Sequence, residues 1–401
     1  MKRLAVFLIA CFSAVVVFGS GFQLNEHSAS GAAMGNAYTA SVDNASAIFY
    51  NPGALGFVDG MSVNFGSTVV YPTSSWTSLD GMQSTDAKTK VNLVPTMFIS
   101  YQLNEKVTLG IGSFSQYGLE TDWPHGWPGT ELADRTKIRT FFISPTAAFK
   151  VNDNFSFAIQ ANYVPADVLI QKGLNFVDTL ATVDMAGDGD GWGATAGFLW
   201  KINDKAKLGG FYRTSVKVDF TGEVDFDGVP TPFLPLLFDS NIEASVELPE
   251  TWGLGLSYQV NDQLMVEFGY MYTGWSSYNV LEVYREGMPD VPMTSVPKNW
   301  DDVAMYKIGM KYDYSERLTL RAGYIYDEAG APDDTLDPSL PDSNRNDWSA
   351  GFDYKFKSFT LSGYAMWVHF NSRTTTTQFE GFNGLYETDA ILTGVTINYR
   401  F

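Results

Sequence analysis

The sequence predicts an all-β protein: a 14-stranded antiparallel transmembrane β-barrel with an N-terminal plug in its lumen. Three observations carry this: two-residue alternation, short polar turns at one rim only, and a last strand that stops on an aromatic residue. Trp252, Leu254, Leu256, Tyr258 and Val260 share one face, and Gly253, Gly255, Ser257 and Gln259 share the other. Phe155, Phe157, Ile159 and Tyr163 oppose Ser156, Gln160 and Asn162, and Leu318, Leu320, Tyr324 and Tyr326 oppose Thr319, Arg321, Gly323 and Asp327. One greasy face and one small or polar face suits a strand between lipid and a lumen.

Tight turns fall at 103–106, 151–154, 202–205, 260–263, 314–317 and near Lys357-Ser358. Long stretches rich in Pro, Gly and Asp lie between them. Six short turns, with both chain ends on that rim, give fourteen strands and seven long loops over residues 61–401. Ile391, Val395, Ile397, Tyr399 and Phe401 share the outer face of the last strand. Tyr270 with Tyr272 and Tyr324 with Tyr326 suit interfacial girdles.

The N-terminus sets the address. Lys2 and Arg3 precede an apolar run, Leu4 to Phe18, that is too short for a spanning helix of roughly 20 residues. Residues 1–19 therefore read as a secretory signal. A lipoprotein reading through Cys11 is weaker, because the apolar run continues past it. Without the signal, which carries Lys2, Arg3 and no acid, 24 Lys+Arg face 45 Asp+Glu, a charge of −21. Such a chain repels nucleic acid. The single cysteine leaves with the signal, so disulfides are not expected.

Residues 20–60 form no stave. Asn25 to Leu55 is small, polar and glycine-rich and ends at Asn51-Pro52-Gly53. Tethered to the first strand, it can fold up into the lumen as a plug, which turns a sieve into a gate; the other reading is a disordered periplasmic tail. Two further stretches stand out. "PTPFLPLLF" places Phe233, Leu234, Leu236, Leu237 and Phe238 in a long loop, and the preceding loop carries Leu174, Phe176, Val177, Leu180 and Met185, partly at helical spacing. Apolar clusters on exposed loops mark a binding surface or a self-packed lid. "DMAGDGDGWG" at 184–193 lacks the spacing and final Glu of an EF-hand and reads as an acidic solvated loop, as does Asp333 to Asp347.

"GFQLNEHSASGAAMGNAY" with "ASAIFYNPG" resembles the N-terminus of the FadL family of outer-membrane transporters for long-chain fatty acids and other hydrophobic compounds. "SQYGLETDW" at 115–123, "FYRTSVKVDFTGEV" at 211–224, "LPETWGLGLSYQV" at 248–260 and "YTGWSSY" at 272–278 extend the resemblance along the chain. The family's Asn-Pro-Ala motif ends here in Gly53.

Nothing in the sequence suggests nucleotide use or energy coupling, so facilitated diffusion without a cofactor is expected. The resemblance implies the site residues. It assigns Phe22 to a deep ligand pocket, Lys172 or Lys298 to the ligand's carboxylate, and the two apolar loops to initial capture. It places Gly118 where the third strand kinks inward and opens the barrel wall. A glycine there also fits a bulge on its own account. The physical logic is simple. A sixteen-carbon tail favours an apolar site over water by about 12 kcal/mol, at about 0.8 kcal/mol per methylene, so a route that keeps it dry is the route to expect.

The expected partners are a long-chain fatty acid or similar hydrophobic small molecule, outer-membrane lipid and lipopolysaccharide, and the barrel-assembly machinery during biogenesis. Nucleic acid is not among them, and a monomer is expected. Rival readings are a channel for alkanes or aromatic hydrocarbons, a passive porin, and an outer-membrane hydrolase. The last has only His27, His125 and His369 to draw on, and no hydrolase motif surrounds them.

Overall fold

The computed structural model describes residues 21–378 and 381–401. The signal expected over residues 1–19 lies outside them. Fourteen wall strands close a barrel, several built from two segments: Met61–Ser78; Asn92–Asn104; Val107–Phe114 with Gly118–Asp122; Arg135–Thr140 with Phe142–Lys150; Phe155–Phe176; Thr179–Lys201; Ala206–Arg213 with Val216–Asp227; Ser240–Leu248 with Thr251–Gln259; Leu264–Thr273 with Val280–Arg285; Pro292–Pro297 with Val303–Asp313; Leu318–Asp327; Arg345–Lys355; Phe359–Phe370; and Gly384–Arg400. The first strand pairs antiparallel with the fourteenth from Ser62↔Arg400 to Ser78↔Gly384, which leaves no free sheet edge there.

The alternation is realised in the expected sense. Leu254, Leu256 and Tyr258 are exposed on the outside, while Gly253, Gly255 and Ser257 are buried inside. Outward rings pair across strands as a belt: Trp252 with Tyr270, Tyr270 with Tyr306, Tyr324 with Trp348, and Trp348 with Trp367. At the opposite rim Phe356, Phe359, Tyr399 and Phe401 form a second belt. Two aromatic levels fit the two interfaces of a bilayer.

Three local expectations are corrected. The stretch from Leu174 to Met185 is not a helically patterned loop: the fifth and sixth strands run to 22 and 23 residues and meet through Val177-Asp178 alone. At about 3.3 Å per residue they stand well above a hydrocarbon core of about 25–30 Å, so one of the seven long loops is replaced by a projecting hairpin. The 184–193 segment belongs to this hairpin and is strand, not loop. Finally, the acidic stretch from Asp333 to Asp347 is not a solvated run, since Asp342 and Asp347 are buried and Asp337 is largely so. The reason is partners: Asp342 accepts the N–H groups of Gly330 and Ala331, and Asp337 meets Lys298.

Residues 21–60 fill the lumen as short turns of helix at Ala29–Ala32 and Ala47–Tyr50 and a 3-10 turn at Pro52–Phe57. Nearly all of this segment is buried. It is held by hydrogen bonds to wall residues: Ser30 Oγ to Asp353 at 2.7 Å, the Gly35 N–H to Ser349 Oγ at 2.9 Å, the Ala40 N–H to Glu267 at 2.8 Å, and Asn51 Nδ2 to the Phe198 carbonyl at 2.8 Å. Short side chains let backbone and wall approach this closely.

Candidate functional site

The third strand breaks at Ser115–Tyr117. Below the break, Val107↔Phe149 to Phe114↔Phe142 pair regularly with the fourth strand; above it, Gly118↔Arg139 to Asp122↔Arg135 resume. Three residues, 115–117, face two, 140 and 141, so the third strand carries one extra residue and bends as a bulge does. All five residues of Gly118–Asp122 are buried.

The bend has a consequence on the other side. The second strand pairs with the third only from Met97↔Ser113 downward, whereas it pairs with the first strand up to Val70↔Asn92. Among the described residues no ladder joins Asn92–Thr96 to the third strand. The ladder of the wall is therefore interrupted here, leaving a gap in the pairing, and Pro95 in this stretch has no N–H to leave unpaired. Above it, Lys88 and Lys90 reach across to Asp122 and Glu120, with Lys88 Nζ 3.0 Å from Asp122 and Lys90 Nζ 3.1 Å from Glu120.

The N-terminal segment bonds to the third strand at its break. The N–H of Leu24 donates to the Gln116 carbonyl at 2.6 Å, and that of Gly118 donates to the Phe22 carbonyl at 2.8 Å. Gln23 thus forms a single antiparallel bridge with Tyr117. Phe22 sits among Tyr117, Trp275, Tyr278 and Trp300 at ring-centroid distances of 6.0, 4.7, 5.8 and 6.3 Å. These mostly edge-on contacts are the favoured aromatic geometry.

Beside this cage lies a cavity of about 320 Å³ lined by Phe22, Leu119, Ile138, Val168, Ile170, Leu281, Trp300 and Leu340, among others. Lys172 and Lys298 also line it, so three residues singled out in the sequence meet at one site. Lys298 is already paired: its Nζ lies 2.5 Å from Asp337 Oδ2. Burial works against the lysine's charge, yet Asp337, with the Tyr278 phenol adding to it, holds its pKa above the usual value. Burial likewise opposes the charge on Asp337, and Lys298 with Ser339 holds that carboxyl below its usual range.

The other sequence candidates are placed as follows. Phe176 and Phe233 touch across the projecting hairpin and the 228–239 loop, with centroids 4.8 Å apart. Phe233, Leu234, Leu236 and Phe238 are exposed, Leu237 is half-buried, and Val177 stands free at the hairpin tip. Arg285 stacks on Phe238 at 3.9 Å and donates to the carbonyls of Leu236 and Phe238, which anchors the loop. Leu174 packs against a buried cluster that contains Val183, Met185, Val224 and Val283.

At Gly53 the plug meets the wall so closely that a β-carbon would fall on the backbone of Phe198, while the Gly53 carbonyl accepts from Ser156 Oγ at 2.7 Å. The Asn51 side chain accepts from the Gly53 N–H and caps the turn that Pro52 begins. Sequence reasoning missed Tyr117, Trp275, Trp300 and Asp337. Trp275 and Tyr278 were visible within "YTGWSSY", whereas Asp337 lay in a stretch read as solvated.

A closed barrel with a buried plug, an apolar cavity and an interrupted wall defines a class: outer-membrane transporters of hydrophobic compounds. The chain belongs to the family described as outer membrane protein transport protein (OMPP1/FadL/TodX), whose profile matches residues 10–401. It is 25% identical over 430 residues to a long-chain fatty acid transport protein of Escherichia coli O6:H1, covering 96% of this chain and 95% of that one. Its fold matches the crystal structure of a Pseudomonas aeruginosa FadL homologue with a TM-score of 0.84 at 20% identity, over 95% and 100% of the two chains. It also matches the toluene transporter TodX of P. putida with a TM-score of 0.79 at 20% identity, over 94% and 99%. The chain is thus an outer-membrane transport protein, not an enzyme.

Proposed function

We propose that this protein carries long-chain fatty acids or similar hydrophobic molecules from the cell exterior into the outer membrane by facilitated diffusion. Phe176, Val177, Phe233, Leu234, Leu236, Leu237 and Phe238 form an apolar surface for capture. The cavity beside Phe22, Lys172 and Lys298 receives the ligand, Leu174 lining the way in. Displacement of Phe22 and of the plug anchored at Asn51, Pro52 and Gly53 then opens the gap beside Gly118, through which the ligand passes sideways into lipid.

The observation that carries this reading is that one segment joins two features: the N-terminal stretch bonds to the third strand where that strand leaves Asn92–Thr96 without a ladder, and its Phe22 lines the cavity. A lateral route spares the ligand contact with water, which for a sixteen-carbon tail is about 12 kcal/mol of apolar transfer. Deleting residues 25–36 and following uptake of radiolabelled hexadecanoate by cells tests the gating: an altered rate supports it, and unchanged uptake defeats it. Mass spectrometry of molecules copurifying with the protein identifies the cargo.

A second reading, a channel for neutral hydrocarbons, is favoured by one observation, the Lys298–Asp337 pair. The related fold of a toluene transporter is compatible with it.

A further inference from the structure

We propose that Asp337 is a specificity-determining residue that favours neutral apolar molecules over carboxylates of the same size, which deepens the second of the two readings above and opposes fatty acid as the preferred cargo. The inference rests on the cavity being the ligand site. Its charged lining comprises Lys137, Lys172 and Lys298 against Glu131, Asp334 and Asp337, so the lysines and carboxylates balance formally. A neutral guest leaves that balance intact. A carboxylate guest adds one negative charge beside a Lys298 that is already neutralised, and a charge moved from water without a partner of its own is costly.

The charge of Lys298 is already matched by Asp337, so a guest carboxylate meets a neutralised pair and not a bare cation. Its side chain is 8% exposed and that of Asp337 17%, and Nζ to Oδ2 is 2.5 Å. The pair is fixed from both ends. Thr335 Oγ1 donates to the Lys298 carbonyl at 2.5 Å, while Asp337 Oδ1 accepts from the N–H of Ser339 at 2.8 Å and from its hydroxyl. Lys298 Nζ also lies 5.9 Å from the centroid of the Tyr278 ring. Asp337 occupies the position at which a ligand carboxylate would otherwise meet Lys298, held there by its own chain. A tethered carboxylate competes at an effective concentration that a free ligand does not reach.

Asp337→Asn is the discriminating variant. It removes the charge at nearly constant size: the one amide oxygen can accept either from Ser339 or from Lys298, so the ammonium loses its anionic partner. The probes are hexadecanoate and its methyl ester, which share a tail and differ in charge. Binding to purified protein in neutral detergent is measured at pH 8 by equilibrium gel filtration with radiolabelled probe.

The wild type is expected to bind the ester at least tenfold more tightly than the acid. In Asp337→Asn the acid gains tenfold or more and the ester moves by less than twofold. In Lys298→Met/Asp337→Asn, which removes the pair altogether, the gain for the acid disappears while the ester still binds. Heat-modifiable gel mobility reports that each barrel is folded, and Asp337→Ser provides a second charge-removing variant should the asparagine fail that check. Equal binding of acid and ester by the wild type, or an unchanged ratio in both charge-removing variants, overturns the proposal. Failure of the wild type to bind either probe refutes the cavity as the ligand site, and this inference falls with it.

Discussion

The N–H of Gly118 donates to the carbonyl of Phe22 at 2.8 Å, so the residue that begins the inward-turned part of the third strand is bonded to the residue that fills the aromatic cage. Under the proposed mechanism, a ligand that displaced the Phe22 ring would therefore also pull on the strand beside the gap. Phe22→Ala removes the ring but keeps the backbone bond possible. Loss of a buried phenyl costs about 3–5 kcal/mol of local packing, and the segment should loosen without unfolding the barrel. Hydrogen exchange at the Gly118 amide is expected to speed up by at least tenfold, while amides of the first and fourteenth strands stay protected.

The plug should be sensitive to a single methyl group. Gly53→Ala places a carbon against the Phe198 backbone, which cannot rotate away as a side chain could. Overpacking of this kind costs about 1–3 kcal/mol. The expected result is a folded barrel whose single-channel conductance shows more frequent open events than the wild type in planar bilayers.

Acid should release the plug through His27. This ring belongs to the plug and not to a spanning strand, and its Nε2 lies 3.2 Å from the Leu24 carbonyl. Burial foremost, with the Arg213 charge adding to it, lowers its pKa from 6.5 to about 3, against the backbone bond, which raises it. The docked plug therefore holds the ring neutral, and a released plug protonates it near 6.5. The contribution to docking is complete above pH 6.5 and shrinks as pH falls, by about 1.4 kcal/mol per unit until the docked ring itself titrates, or about 2 kcal/mol by pH 5. Open probability should rise between pH 7.5 and 5 in the wild type and stay flat in His27→Leu.

The capture surface predicts a kinetic signature. Phe233→Ser with Leu236→Ser removes two exposed apolar side chains that do not line the cavity. The half-saturating ligand concentration for uptake should rise severalfold with the maximal rate unchanged. A fall in maximal rate alone would assign these residues to a later step.

The barrel was legible in the sequence because alternation over a stave such as Trp252 to Val260 is a local signal with one physical cause, lipid on one side and lumen on the other. The plug was legible for the opposite reason: small residues from Ser28 to Gly35 could not form a stave. What sequence could not supply was pairing at a distance. Asp337 looked solvated among other acids, since nothing local to it announces Lys298, 39 residues away. The 184–193 segment looked like a loop because its glycines and aspartates have weak strand propensity, but long antiparallel pairing with the fifth strand overrides that preference. The aromatic cage draws Phe22, Tyr117, Trp275 and Trp300 from four separate stretches, and only their convergence makes a site.

The lateral route itself is tested most directly by deleting Ser115. That leaves two residues against residues 140 and 141, so the pairing of the third and fourth strands becomes continuous and the third strand can zip against Asn92–Thr96. The quantity to measure is the initial rate of uptake of a radiolabelled hydrophobic probe by cells carrying equal amounts of folded wild-type or deleted protein. Uptake at the background of cells lacking the protein, with probe binding to the purified variant retained, is the predicted result. Uptake at the wild-type rate through the sealed wall would contradict the account.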